Sequence, residues 1–150
     1  MDKPDPVVKY RKSGVGMALT GLKQKKVLIA EDDQSSQYLM KLVMEDLGFS
    51  AVIVSNGQEV LDRLKAEAFD LIIMDIRMPI LDGYRATSMI RHELKLDLPI
   101  IALTAHAMDW VPARCYAAGM NGFISKPITD LKKLKDAILE QLNRPEPPQA

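Results

Sequence analysis

The sequence has little of the residue types that build disulfides, zinc sites and aromatic clusters. It contains one cysteine, two histidines and one tryptophan in 150 residues, and aromatic residues make up only 5%. Because Cys115 has no partner for an internal disulfide, the chain fits a reducing compartment, and zinc is not the expected metal. No apolar run approaches the roughly 20 residues of a membrane span, and no secretory signal begins the sequence. These absences predict a location in the cytoplasm, or on the cytoplasmic side of a larger assembly, without membrane insertion.

An excess of charge of one sign is also missing, since 20 acidic residues balance 20 basic residues. The composition therefore favours neither a nucleic acid nor an anionic membrane as a partner. The remaining composition, 47% apolar and 27% charged, is ordinary for a globular protein of one domain. We expect that domain to span residues 25–143, between an N-terminal tail or linker (1–24) and a C-terminal tail (144–150).

Short apolar runs alternate with helical patterns along residues 25–143. The runs predict five strands, β1 to β5, at residues 27–30, 51–54, 71–74, 99–103 and 122–125. Apolar residues at helical spacing predict five helices, α1 to α5, at about residues 33–48, 56–64, 84–94, 110–118 and 129–142. Asp33, Asn56 and Thr129 are the expected N-caps, and Gly48 and Gly119 are the expected C-terminal stops. Strands that are apolar on both faces favour a parallel, doubly wound α/β sheet with helices on each side.

Polar side chains stand where the predicted strands end. Glu31 and Asp32 follow β1, Asp75 follows β3, Thr104 follows β4 and Lys126 follows β5. The carboxyl ends of parallel strands meet at one edge of a sheet, which is where open α/β sheets bind ligands. If the strand order is 2-1-3-4-5, the three acids surround one pocket. Thr104 alone would be a turn residue and Lys126 alone a surface lysine, so their joint placement carries the prediction.

Three carboxylates in one pocket repel each other unless a cation lies among them. Oxygen ligands select a hard ion such as Mg²⁺, which keeps several waters and accepts a phosphate oxygen. A carboxylate beside such an ion can attack phosphorus and form an acyl phosphate. We therefore interpret Asp75 as a nucleophile that accepts a phosphoryl group, with Lys126 as a second positive charge and the Thr104 hydroxyl as a donor. His106 is a candidate for the rim of the pocket.

Four motifs make the sequence resemble a known family from about residue 25 to residue 143. They are residues 27–32, residues 74–79 with the Asp-Gly pair at 82–83, residues 102–105, and residues 125–127. In this order and spacing they resemble the receiver domain of two-component response regulators. That resemblance implies a flavodoxin-like (βα)5 fold with the strand order 2-1-3-4-5.

The resemblance also implies roles for the site residues. Asp75 would accept phosphate from a phosphohistidine on a sensor histidine kinase or a histidine phosphotransfer protein. Asp32 and Asp75 would ligate Mg²⁺ together with the backbone carbonyl of Arg77 and, through water, Glu31. The phosphoryl group would contact the two remaining residues of the set, Thr104 and Lys126. The peptide bond between Lys126 and Pro127 is expected to be cis.

A conformational switch belongs to the same resemblance. Thr104 would move toward the phosphoryl group, and Phe123 would turn inward in the position of the family's switch aromatic, changing the surface formed by α4, β5 and α5. Ala105 is small and leaves the site open, while Arg77 and His106 flank the phosphate. The domain is expected to be a monomer or a weak dimer through that surface, and to have no independent substrate turnover.

Several alternatives stay open from the sequence. Residues 103–108 and 118–128 look most like receivers attached to hybrid histidine kinases, which relay phosphate onward to a phosphotransfer protein. Met1 favours a free-standing regulator instead, and no DNA-binding segment follows α5. An aspartyl-nucleophile phosphatase is a further possibility, although Arg77 stands where haloacid-dehalogenase-like enzymes have a second Asp. The full acid, Thr and Lys set disfavours a degenerate receiver, and the absence of a hydroxyl-rich phosphate loop after β1 disfavours a flavin binder.

Overall fold

The structure is a computed structural model that describes residues 25–105 and 111–143. It contains five strands and five helices in strict alternation within those residues. The strands are β1 (Lys26–Ala30), β2 (Ser50–Val54), β3 (Leu71–Asp75), β4 (Ile100–Thr104) and β5 (Gly122–Ser125). The helices are α1 (Gln34–Leu47), α2 (Gly57–Ala66), α3 (Gly83–His92), α4 (Val111–Ala118) and α5 (Leu131–Asn143). The predicted tails at 1–24 and 144–150 lie outside the described residues.

The five strands form one parallel sheet in the order β2-β1-β3-β4-β5. The predicted fold class and strand order are therefore confirmed. β2 pairs with one side of β1 and β3 pairs with the other side, so the direction in which strands are added to the sheet reverses after β2. This reversal puts the carboxyl ends of β1 and β3 next to each other. Ala30 of β1 pairs with Met74 of β3, so Glu31 and Asp75 emerge side by side. This register is what creates a site at the carboxyl edge.

The alternation of side chains along each strand divides the core into two layers. In β1, Val27 and Ile29 pack with α1 and α5, whereas Leu28 and Ala30 pack on the other face with α2, α3 and α4. Every residue of β3 and β4 is buried, as expected for central parallel strands. Burial on both faces fixes these strands and leaves their carboxyl ends little freedom.

Most predicted helix ends are confirmed. The side chain of Asp33 accepts from the Ser36 backbone amide at 2.8 Å, and that of Asn56 accepts from the Glu59 amide at 2.9 Å. Gly48 and Gly119 end their helices with φ of 78° and 108°, a region that favours glycine.

The predicted cap of α5 was wrong. In the first turn of α5, the Lys133 backbone amide donates to the side chain of Asp130 at 3.1 Å, so Asp130 caps the helix and Thr129 does not. Both residue types cap helices well, and Asp130 stands in the position immediately before the helix. The helix prediction for α3 was also too long, since α3 ends at His92 and Leu94 packs on the core from the following loop. Within the described residues, none of the helices has the length and apolarity to cross a bilayer.

The amino-terminal edge of the sheet is held by a network that centres on Arg91 of α3. Its guanidinium donates to the backbone carbonyls of Leu96, Leu98 and Gly119 and to the side chain of Asn121, at 2.8 to 3.0 Å. The same Asn121 oxygen accepts from the Ile100 amide at 2.8 Å. Arg91 thereby ties the loops that lead into β4 and β5, and it sets where those two strands begin.

Candidate functional site

The site lies where β1 and β3 end. Glu31 directly follows β1 and is fully buried, Asp32 is exposed, and Asp75 is the last residue of β3 and almost fully buried. One carboxylate oxygen from each of the three lies within 4.8 Å of the others. The structure therefore brings together the three acids that the sequence analysis singled out. Asp75 is the last residue of β3 and Thr104 is the last residue of β4, so each of these strands ends one residue later than predicted.

The Lys126 side chain reaches this acid cluster from the end of β5. Its ammonium nitrogen lies 2.5 Å from Glu31 Oε2 and 2.8 Å from Asp75 Oδ2. The Lys126 backbone amide donates to the Thr104 carbonyl at 2.7 Å, and this bond fixes the backbone position from which the Lys126 side chain extends. The Lys126–Pro127 peptide bond is cis, as expected. One ammonium group thus serves two acids from two different strands.

The remaining oxygens of the cluster are oriented by the backbone. Glu31 Oε1 accepts from the Asp33 amide at 3.0 Å, and Asp75 Oδ1 accepts from the Arg77 amide at 3.1 Å. Glu31 Oε2 is buried and receives no well-directed hydrogen bond from any described residue, so its contact with Lys126 is an ion pair of poor hydrogen-bond geometry.

The charges in the cluster do not balance. Burial raises the pKa of the Glu31 carboxyl, and the neighbouring Asp75 charge adds to this rise, against the lowering by Lys126 and the Asp33 amide. Burial alone would lower the pKa of the Lys126 amine, but the carboxylates of Asp75 and Glu31 raise it above its usual value. Lys126 therefore stays protonated, and three acids face one cation. An all-oxygen donor set with excess negative charge fits a hard divalent cation.

A cavity of about 210 Å³ opens beside the Asp75 carboxylate. Asp75 and Thr104 lie deep in it, with exposures of 7% and 4%, and Ala105 and Arg77 lie at its exposed side. The small Ala105 leaves this approach open. The other lining residues are Ile76, Asp82, Tyr84, Val111 and Arg114. His106 lies outside the described residues, so its predicted place at the rim stays a prediction.

Phe123 is not part of this cavity. It is 37% exposed on β5 and lines a separate cavity of about 190 Å³ with Tyr116 and Gln141. The structure thus keeps the predicted switch aromatic on the surface that α4, β5 and α5 form.

Gly83 was quoted in the sequence analysis as part of a motif, but its packing role was missed. A Cβ on Gly83 would lie 2.5 Å from the Asp75 carbonyl oxygen and 2.9 Å from Ile76 Cα. Its amide donates to the Ile76 carbonyl at 2.8 Å. The first turn of α3 therefore lies directly against the backbone of Asp75, and only glycine allows this approach.

Ile80 in the intervening loop also escaped the sequence analysis. It has φ of 72°, and its neighbours Pro79 and Leu81 join in a tight turn with a 2.7 Å hydrogen bond from the Leu81 amide to the Pro79 carbonyl. A β-branched residue rarely adopts such a conformation. No local pattern signals it, because the usual residue at positive φ is glycine.

Comparison with known proteins identifies the family that this fold and site define. The family model of the response regulator receiver domain matches residues 27–139. The chain is 43% identical, over 121 residues, to hybrid signal transduction histidine kinase K of Dictyostelium discoideum; the match covers 75% of this chain and 10% of that kinase. The chain spans a similarly small share, 16% or less, of several other curated relatives.

Two solved structures are similar in fold and in sequence. One is the receiver domain of the sensor histidine kinase PA1611 from Pseudomonas aeruginosa PAO1, with a magnesium ion coordinated in its active-site cleft; the TM-score is 0.73 at 32% identity, covering 81% of this chain and 99% of that one. The other is the receiver domain of Ssk1 in complex with the phosphotransfer protein Ypd1 from Saccharomyces cerevisiae, with a TM-score of 0.73 at 28% identity, covering 79% and 88%. The chain belongs to the response regulator receiver domain family, and it is a receiver domain of two-component phosphorelay signalling.

Proposed function

We propose that Asp75 accepts a phosphoryl group from a phosphohistidine on a partner protein. The observation that carries this proposal is the acid cluster itself, in which Asp75 shares Lys126 with a buried Glu31 and lies within 4.8 Å of Asp32. A carboxylate held by an ammonium group and two backbone strands is positioned rather than free. Phosphoryl transfer depends mainly on such positioning and on neutralised charge.

Mg²⁺ is the proposed cofactor, and when bound it would neutralise the acids and hold a phosphoryl oxygen. Asp32, Asp75 and the backbone carbonyl of Arg77 would hold it directly, and Glu31 through water. The support is the all-oxygen donor set and the buried Glu31 Oε2 that lacks a hydrogen bond within the described residues. The ammonium group of Lys126 would contact the phosphoryl group as Asp75 changes from a carboxylate to an acyl phosphate.

Thr104 and Phe123 are the proposed switch residues. Thr104 ends β4 inside the cavity that Asp75 lines, so its hydroxyl is near the place where new phosphoryl oxygens would appear. A shift of Thr104 would open space behind it, and Phe123, which is partly exposed two residues before the end of β5, would turn inward. The surface of α4, β5 and α5 would then differ between the two states.

The partner is proposed to be a sensor histidine kinase or a histidine phosphotransfer protein. The relatives that match this chain are hybrid histidine kinases, and a similar receiver forms a complex with a phosphotransfer protein. We further propose that residues 25–143 form the receiver unit, that it acts in the cytoplasm as a monomer or weak dimer, and that it turns over no separate substrate. It contacts neither nucleic acid nor membrane in this role.

Incubation with acetyl phosphate and Mg²⁺ tests the proposal, with intact-protein mass as the readout. The wild type is expected to gain the mass of one phosphoryl group, and Asp75→Ala is expected to gain none. Asp62→Asn is the matched control, because Asp62 is an exposed acid on α2 whose side chain accepts a hydrogen bond from Gln58 on the same helix. Phosphorylation of Asp75→Ala to the wild-type extent would place the acceptor elsewhere.

A further inference from the structure

The cavity beside Asp75 contains two positive charges that the acceptor chemistry does not use. Arg77 and Arg114 both line it, and both are exposed, whereas Asp75 lies deep in the cavity. Within the described residues, neither arginine forms an ion pair. The second acid of the lining, Asp82, is engaged as the N-cap of α3 through a 2.8 Å bond from the Arg85 amide. The outer part of the cavity therefore has the charge of an anion site.

Arg114 is held in a defined position by an aromatic ring. Its guanidinium carbon lies 4.4 Å from the ring centroid of Tyr84, so the cation stacks on the ring face. Tyr84 follows Gly83, whose close packing against the Asp75 carbonyl fixes the first turn of α3 relative to the acceptor. Arg114 on α4 is thereby positioned with respect to Asp75 through two adjacent helices.

Stacking determines which part of Arg114 remains available. The ring shields the part of the guanidinium that faces it, and the N–H donors of a guanidinium lie along the edge of its plane. Such an edge is the part that binds a planar carboxylate with two parallel hydrogen bonds. An ammonium group in the same place would supply charge but no planar fork.

The depth of the residues indicates which part of a phosphodonor would reach this edge. In phosphoryl transfer the attacking and leaving oxygens are roughly in line across phosphorus. With Asp75 deep in the cavity, the leaving group lies further out, on the side of the exposed arginines. Since Thr104, one of the proposed phosphoryl contacts, lies beside Asp75 at the inner end, the outer end is left for the group that departs.

We propose that Arg114, stacked on Tyr84, binds the carboxylate leaving group of small acyl phosphates and makes them preferred phosphodonors for Asp75. This inference rests on the proposed phosphoacceptor function. In the step, an Asp75 oxygen forms a bond to phosphorus as the bond from phosphorus to the acyl oxygen breaks. The bonding electron pair leaves with the carboxylate, so no proton or further reactant is required. Arg114 is a specificity residue that neutralises the charge as it develops on that oxygen.

Two donors with different leaving groups test the proposal in the presence of Mg²⁺. Acetyl phosphate releases an anionic acetate, whereas phosphoramidate, whose nitrogen is already protonated, releases neutral ammonia. Arg114→Ala is expected to lower the second-order rate of Asp75 phosphorylation by acetyl phosphate about fivefold, the scale of one exposed charge-assisted contact. The rate with phosphoramidate should change less than twofold, and hydrolysis of the Asp75 phosphate and beryllofluoride affinity should not change.

Four further variants sharpen the test. Arg114→Lys should recover only part of the acetyl phosphate rate, because it lacks the planar fork. Tyr84→Phe should keep the rate and Tyr84→Leu should lower it for acetyl phosphate alone, because only the first keeps the stacking ring. Arg85→Ala, an exposed arginine on α3 outside the cavity lining, should leave both rates unchanged.

The outcomes separate the subsite from the proposed function. Equal losses with both donors would overturn the proposal in favour of general charge attraction, and an altered hydrolysis rate would overturn it in favour of a contact with the phosphoryl group. Unchanged rates with both donors in Arg114→Ala would show that Arg114 does not bind the leaving group. Failure of the wild type to gain phosphate from either donor would overturn the acceptor role of Asp75 itself, and the subsite with it.

Discussion

At the amino-terminal edge of the sheet a charged side chain is surrounded by partners, whereas at the carboxyl-terminal edge two acids of a three-acid cluster share one ammonium group. Arg91 donates to four acceptors from the loops before β4 and β5. Glu31 and Asp75 both pair with Lys126, and Asp32 contributes a carboxylate oxygen within 4.8 Å of theirs. The first arrangement stabilises the fold, and the second keeps binding capacity at the expense of stability.

The close approach of α3 to the end of β3 gives the largest expected effect at the carboxyl edge. Gly83→Ala would place a methyl group 2.5 Å from the Asp75 carbonyl oxygen, and backbone atoms cannot move aside cheaply. We expect a loss of about 3 kcal/mol of unfolding free energy, measured by urea denaturation, and slower phosphorylation of Asp75. Gly122→Ala is the control, because its nearest atom would be a side-chain nitrogen 3.7 Å away. Equal stability of the two variants would contradict this account of the packing.

Removal of the Arg91 side chain should be nearly as costly at the other edge. Arg91→Ala leaves three carbonyls and the Asn121 oxygen short of a donor, and we expect a loss of about 2 kcal/mol in urea denaturation. Phosphorylation of Asp75 in the folded variant should stay close to the wild-type rate. Arg85→Ala, which removes an exposed arginine of the same helix, should cost less than about 0.5 kcal/mol. A large loss of phosphorylation in Arg91→Ala without a loss of stability would show that the amino-terminal edge also serves function. The distinction between the two edges would then not hold.

A neutral side chain in place of Glu31 should increase the unfolding free energy, in contrast to the two substitutions above. Burial raises the pKa of Glu31 above its ordinary 4.5, so the ionised carboxylate disfavours the folded state. We expect Glu31→Gln to gain about 1 kcal/mol in urea denaturation at neutral pH without divalent cations, and to bind Mg²⁺ less tightly. A loss of stability would show that the ion pair with Lys126 outweighs the repulsion.

The same residue predicts a pH dependence for the metal-free wild type. Because the folded-state pKa of Glu31 is raised, the folded protein holds the proton to a higher pH than the unfolded chain does. Its contribution to stability is therefore present at low pH and is lost as the pH rises from about 4.5 through the folded-state pKa. Urea denaturation across this range should show a steeper decline for the wild type than for Glu31→Gln. Parallel profiles of the two proteins would contradict the assignment.

The smallest effect is expected from the exposed ion pairs of the amino-terminal edge. Lys25 lies 3.8 Å from Asp70, and both side chains are more than a third exposed. Lys25→Ala should change the unfolding free energy by less than about 0.5 kcal/mol, because solvent screens such pairs. A larger loss in urea denaturation would mean that the amino edge depends on charge pairs as well as on the Arg91 network.

The two edges also differ in how far the sequence could predict them. The acids, Thr104 and Lys126 stand directly at strand ends, so locating the buried strands located their side chains as well. Arg91 gave no such signal, because its partners Gly119 and Asn121 lie 28 and 30 residues away in irregular loops. Arg114 and Tyr84 were missed for the same reason, since their contact depends on the packing of two helices. Thr129 and Asp130 are adjacent residues of similar capping ability, and only the geometry of α5 distinguishes them.

Urea denaturation of the wild type and of Asp32→Asn at increasing Mg²⁺ tests the central claim most directly, namely that acids from the ends of β1 and β3 share one hard divalent cation. Asp32 is exposed and its replacement should leave the fold intact. The account predicts that the unfolding free energy of the wild type rises with Mg²⁺, by about 1.4 kcal/mol at ten times the dissociation constant, and that the variant responds only at much higher concentration. An unfolding free energy that Mg²⁺ leaves unchanged in the wild type, or raises equally in both proteins, would contradict it.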